Sequence, residues 1–161
     1  MDTPIRPLDE RDHEPVVALS LRSWAPVFAS MEVVLGPSGV FERFYPDWPV
    51  AQRAAVLAAC TDPAMSVWVA EVDGAVAGFV AVRFDRAERL GEIHMVAVDP
   101  DHQRRGVGSA LTAFAVDRMR AEGMSIAMVE TGGDPGHGPA RRTYERAGFT
   151  AMPVVRYFAA L

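Results

Sequence analysis

The stretch from Leu90 to Thr131 restricts the fold more than any other part of this chain. Leu90 to Val98 is an apolar, β-branched run that stops at Asp99-Pro100, where proline cannot donate to a strand ladder. A basic, glycine-containing turn, Gln103 to Gly108, leads into a helical stretch to about Glu122, and Gly123 is placed to end it in a left-handed cap. Met124 to Thr131 returns to strand character. A strand-helix-strand unit with such short connections predicts a right-handed crossover, with Leu90–Val98 and Met124–Thr131 as parallel neighbours.

The flanking segments fill in the rest. Ser66 to Val72 and Ala75 to Phe84 are joined by Asp73-Gly74, a dipeptide that accepts the positive φ of a tight hairpin. Thr3 to Leu8 is predicted as a short strand that Pro4 and Pro7 confine to an edge. Asp9 is positioned to cap a helix to about Val34, which Pro26 is expected to break or kink. Gly36 to Pro49 reads as a connection and Val50 to Cys60 as an Ala-rich helix. After a glycine-rich loop from Thr131, Pro139 suits a first helical turn and Gly148 the position past its end, and Phe149 to Leu161 is expected to form a final strand or hairpin. The order predicts a mixed α/β sandwich, a single domain over residues 1–161 with no repeat or dividing linker.

Charge excludes some functions. Against 21 acidic residues stand 16 basic ones, giving a net charge of −5, the wrong sign for a nucleic-acid partner. Every basic residue is Arg; without Lys there is no Schiff-base, Walker A or kinase lysine chemistry. The lone Cys60 cannot form an internal disulfide, and His13, His94, His102 and His137 lack zinc spacing, so no metal is expected. The first residues do not resemble a signal peptide, and no apolar run approaches 18 residues, which predicts a cytoplasmic protein without a membrane partner.

The most informative segment is Val96-Ala97-Val98-Asp99-Pro100-Asp101-His102-Gln103-Arg104-Arg105-Gly106-Val107-Gly108-Ser109. It runs from a strand end into a helix start, where unpartnered N–H groups and the helix dipole favour an anion. Gly106 and Gly108 let the backbone approach a diphosphate, and Arg104 and Arg105 add charge. A Rossmann fingerprint would need glycine where Leu111 stands, and a Walker A loop would need Lys.

Gln103-Arg104-Arg105-Gly106-Val107-Gly108 resembles the Q/R-x-x-G-x-G/A motif of the GCN5-related N-acetyltransferase (GNAT) family. The resemblance extends from about Leu90 to Phe149, including Val98-Asp99-Pro100 and Tyr144 followed by Ala147-Gly148-Phe149. It implies a central mixed, mostly antiparallel sheet flanked by helices, with a parallel strand pair splayed around an acyl-coenzyme A cleft. It implies acetyl-coenzyme A as cosubstrate, main-chain contacts from Val96, Ala97 and Val98, and pyrophosphate held by the amides from Arg104, Arg105, Gly106, Val107 and Gly108 to Ser109. Tyr144 matches the family's hydroxyl near the sulfur. Glu92 and His94, two apart on one strand and expected on one face, match positions of a general base, and Glu130 is a third candidate. Where relatives often carry Asn before the last helix, this chain has no Asn and offers Asp134 in a lengthened loop.

The implied reaction is acetyl transfer to a primary amine by direct attack in a ternary complex, with a small-molecule acceptor. A protein N-terminus as acceptor and a noncatalytic acyl-coenzyme A sensor are the alternatives, and a homodimer is common among relatives. Trp24, Phe28, Met31, Phe41, Phe44, Tyr45 and Trp48, with Glu32, Glu42, Asp47, Asp85 and Glu88, are the residues from which an acidic, aromatic-walled acceptor site could be built, though aromatic and Met residues at helical spacing commonly form core.

Overall fold

The computed structural model describes residues 3–161. Five strands form one sheet in chain order: β1 (Ile5–Pro7), β2 (Met65–Val72), β3 (Ala75–Asp85), β4 (Leu90–Val98) and β5 (Ile126–Val129). The first four pair antiparallel, and β5 joins β4 in parallel. Asp73 and Gly74, at φ 53 and 79, make the tight β2–β3 turn.

Helices α1 (His13–Leu35) and α3 (Trp48–Thr61) cover one sheet face, and α4 (Val107–Ala121) covers the other. Both faces are therefore buried, which is why β3 reads as one apolar run: Phe79 and Ala81 pack with Val16, Val17, Leu19 and Val56, while Val80 and Val82 pack with Leu111, Ala115 and Met119. The sheet lies close to α4: a Cβ on Gly78 would stand 2.8 Å from the Ala97 carbonyl oxygen and 3.0 Å from Leu111 Cδ1. Glycine is what the contact admits.

Five expectations change. Asp9 caps a short 3₁₀ turn, Glu10–Asp12, ahead of α1, and α1 runs through Pro26 without breaking, because buried residues on both sides, Val16, Val17, Leu19 and Ser20 before it and Phe28 after it, pin it to the core. The connection from Gly36 holds a short helix, α2 (Val40–Phe44), whose Val40 and Phe41 are buried. The helical span Glu10–Ser38 is, by length and composition, apolar enough to cross a membrane; here its apolar side is applied to the sheet. Finally, no strand or hairpin forms after α5 (Gly138–Arg146): residues 150–161 have no regular secondary structure and are exposed, joined by Phe158 to Phe44 and by Arg156 to Glu130 at 3.2 Å. A strand needs a ladder partner, and the tail pairs with no edge of this sheet.

The N-terminal corner is tied by charge. Arg6 on β1 reaches Asp12 at 2.6 Å and Glu71 on β2 at 2.7 Å, and Asp12 Oδ2 also accepts the Asp9 N–H at 2.8 Å.

Candidate functional site

β4 and β5 stay together for four residues only, Leu90–Ile93 against Ile126–Val129. Beyond Ile93, β4 continues to Val98 paired with β3 alone, and its outer edge is open. The Asp99 N–H bonds the Ala77 carbonyl at 2.8 Å, so by antiparallel alternation Ala97 pairs with Phe79, and Val96 and Val98 turn their N–H and C=O groups outward. Of the three strand residues expected to present main chain, Ala97 is thus bonded into the sheet. The Val98 carbonyl already accepts the Gln103 side-chain N–H at 3.1 Å.

At the end of this open edge the chain turns into α4. Arg104 and Gly106 take positive φ, 60 and 85, and Gly106 supplies no capping side chain. The first-turn amides of Val107, Gly108 and Ser109 therefore have no helical acceptor and no cap. Arg104 and Arg105 are exposed beside them, without a salt bridge among the described residues. A Cβ on Gly106 would meet nothing within 4 Å, and one on Gly108 only Val98 Cγ2 at 3.5 Å. Arg22 of α1 braces the turn, bonding Asp99 and Asp101 at 2.9 and 2.8 Å. His102 Nδ1, one residue before the motif, is buried without a partner.

Tyr144 on α5 is 8% exposed, its ring edge-on to Phe149 at 6.0 Å. Burial pushes its phenol up to about 12, and the hydroxyl has no hydrogen-bond partner among the described residues. It is a donor without an acceptor.

The expected bases part company. Register jumps from Ala81–Met95 to Val82–Ile93, which leaves His94 unpaired in a bulge. The simple two-residue rule for Glu92 and His94 does not carry across it. Ile93, Val96 and Val98 face α4, whereas Met95 and Ala97 face α1; Glu92 is half-buried and His94 exposed. Glu130, just past β5, is exposed and paired with Arg156. Asp134 bonds Ser30 at 2.6 Å and also His137, and is turned into its own loop. Cys60 is half-buried, its thiol pushed up to about 11 by burial, which makes it a poor nucleophile.

Glu32, Phe41, Glu42, Tyr45, Asp47 and Trp48 line an open groove of about 430 Å³. Phe28 stacks on Trp48 at 4.5 Å beneath it. Trp24 packs into the core, and Asp85 and Glu88 make the β3–β4 turn, so those three are not part of it.

The profile of the Acetyltransferase (GNAT) family matches residues 38–149, more than half of the chain. The chain belongs to the GNAT family. It is 38% identical over 87 residues to mycothiol acetyltransferase of Streptomyces griseus subsp. griseus, 54% of this chain and 28% of that protein. The aligned part is under a third of that relative's length. The crystal structure of nourseothricin acetyltransferase shares 34% identity over 55% of this chain and 52% of its own, with TM-score 0.51. PaiA N-acetyltransferase from Thermoplasma acidophilum, crystallised with coenzyme A, superposes over 96% of this chain and 94% of its own at TM-score 0.69 and 16% identity, which shows the same GNAT fold.

The sequence reading passed over one pair. His137, entered only among scattered histidines, bonds Asp134 in the loop after β5. The signal available was their three-residue spacing in a glycine-rich segment held between a strand and a helix.

Proposed function

We propose that this GNAT protein transfers an acetyl group from acetyl-coenzyme A to a primary amine of a small molecule, by direct attack in a ternary complex. The observation that carries the reading is the junction of an open strand edge, Val96 to Val98, with an uncapped helix start behind Gly106. An extended amide chain ending in a diphosphate matches both halves: strand-like pairing along the edge, charge-assisted bonds at the turn. The names of two relatives, nourseothricin and mycothiol acetyltransferase, favour a small acceptor. So does the groove with Glu32, Glu42 and Asp47 on aromatic walls, which suits a cationic amine. A cytoplasmic location goes with this reading.

In the reaction the ammonium loses a proton, the nitrogen attacks the thioester carbonyl, and the C–S bond breaks as the amide forms. An ammonium near 10.4 is almost wholly protonated at pH 7, so a proton acceptor is required. Glu92 and His94 are the acceptors expected on β4. Tyr144 serves the departing sulfur. Proton transfer from a phenol near 12 to a thiolate near ~8.5 is uphill by about 5 kcal/mol, so Tyr144 hydrogen-bonds the sulfur and solvent completes the protonation.

Two measurements test this. Purified protein incubated with acetyl-coenzyme A and an amine panel releases free thiol in an amine-dependent way; binding of coenzyme A without such release would favour the sensor alternative. Tyr144→Phe lowers kcat about tenfold and leaves coenzyme A affinity within about twofold, since one hydrogen bond to a charged group is lost and no binding contact changes. Wild-type kcat in that variant would remove Tyr144 from the mechanism.

A further inference from the structure

The loop after β5 holds a cluster of polar groups that the assignments above leave unused. His137 Nδ1 bonds Asp134 Oδ1, and Asp134 Oδ2 accepts the Ser30 hydroxyl of α1 at 2.6 Å and the Gly136 N–H at 3.1 Å. The Gly136 N–H also reaches Ser30 Oγ at 2.9 Å. Arg141 of α5 donates to the carbonyls of Gly132 and Asp134. The packing is close: a Cβ on Gly132 would strike the His137 ring, and one on Gly136 the Ser30 side chain at 2.6 Å. The imidazole is therefore held by Asp134, whose carboxylate is fixed from α1 and whose loop is fixed from α5.

The bonding selects a tautomer. Burial raises Asp134, but the bonds from Ser30 and His137 outweigh it and hold the carboxyl below its usual range, so it is ionised at neutral pH. A carboxylate only accepts, so the proton of the shared bond belongs to His137 Nδ1. Neutral His137 then carries its lone pair on Nε2, which has no partner among the described residues. Ser30 gives its hydroxyl proton to the carboxylate, not to the imidazole, so the cluster does not make Ser30 a nucleophile.

Resting on the acetyl-transfer reading above, we infer that His137 Nε2 takes the proton from the acceptor ammonium, with Asp134 as the residue that positions and charges it. The loop starts where β4 and β5 have parted, and His137 stands at the N-cap of α5, the helix that carries Tyr144. Glu130 is held by Arg156, and His94 on its exposed bulge has no orienting partner among the described residues. The balance is complete: one ammonium proton goes to Nε2 and then to solvent, the freed lone pair forms the C–N bond, the C–S pair leaves on sulfur, and the second proton reaches the thiolate through water.

The experiment is the pH dependence of kcat/KM for thiol release in wild type, His137→Gln, Asp134→Asn and Glu92→Gln. Besides Asp134, the charges beside this loop are Arg141 and Arg142 of α5, both unchanged in these variants. His137→Gln is expected to lower the plateau about 100-fold and abolish the acidic inflection. Asp134→Asn takes away the carboxylate that fixes the Nδ1–H tautomer, and is expected to lower the plateau and release that tautomer in the NMR measurement below. Glu92→Gln tests the β4 acceptor directly: an inflection lost in Glu92→Gln and kept in His137→Gln overturns the inference. A wild-type profile in His137→Gln, or a lower rate with the inflection unmoved, overturns the inference. Independently of turnover, ¹H–¹⁵N NMR of the free protein reports the His137 tautomer: protonated Nδ1 agrees with the inference, and protonated Nε2 overturns it. Absent coenzyme A binding in wild type would instead sink the acetyl-transfer reading, and calorimetry on all four proteins separates that failure from this one.

Discussion

Valine at position 106 is expected to weaken coenzyme A binding by at least ~100-fold, about 2.7 kcal/mol, in a calorimetric titration. Gly106 sits at φ 85, a region that costs a β-branched residue about 1–3 kcal/mol, so the turn from Arg104 to Val107 must rearrange. The added side chain meets nothing of the protein within 4 Å of its Cβ, so no packing contact offsets that cost. Gly108→Ala is the companion measurement. Its Cβ meets only Val98 Cγ2 at 3.5 Å, so the fold accepts it and gains up to about 1 kcal/mol of helix propensity. The expected pair is a large affinity loss for Gly106→Val and an affinity within about threefold of wild type for Gly108→Ala. Equal affinities for Gly106→Val and wild type would mean that the diphosphate does not sit at this turn.

Removing the carboxylate of Asp12 is expected to cost about 3 kcal/mol, because it leaves Arg6 with Glu71 alone and the Asp9 N–H without its acceptor. For a chain of this size that is roughly 6–12 °C in Tm for Asp12→Ala. Wild type should show the same dependence on acidification. Arg6 holds the Asp12 carboxyl below its usual range through their hydrogen bonds, more than offsetting the upward push of burial. A group whose folded pKa is depressed stabilises fully above its unfolded value, near ~3.9, and loses that contribution as pH falls through the folded value. Arg6 itself moves upward and stays charged throughout. Acid-induced melting measured downward from about pH 4 should therefore be steeper for wild type than for Asp12→Ala. Parallel curves would show that the Arg6–Asp12 bond is not a source of stability.

Local grammar made much of the fold legible. Asp73-Gly74 demanded a tight hairpin, Pro100 stopped a strand, Gly123 and Gly148 took the left-handed positions that end α4 and α5, and the short βαβ connections required parallel pairing. These are properties of a few consecutive residues, so no distant contact overrode them. Pro26 was different: its penalty is local, but the packing of Val17, Leu19 and Phe28 that outweighs it comes from the sheet and α3. The tail from Thr150 to Leu161 failed in the opposite way, having strand composition and no ladder to join.

The turn from β4 into α4 could be read from the sequence because it is built almost wholly from main chain and its two glycines. The surroundings of the side chains proposed to handle protons could not. Whether Glu92 and His94 share a surroundings depends on one extra residue in β4, visible only in the register against β3. Whether Asp134 faces a cofactor or holds His137 depends on Ser30, 104 positions away in the chain. Backbone conformation is encoded within a few residues; the partner of a side chain is set by how helices and strands far apart in sequence come to pack, and that only the tertiary structure decided.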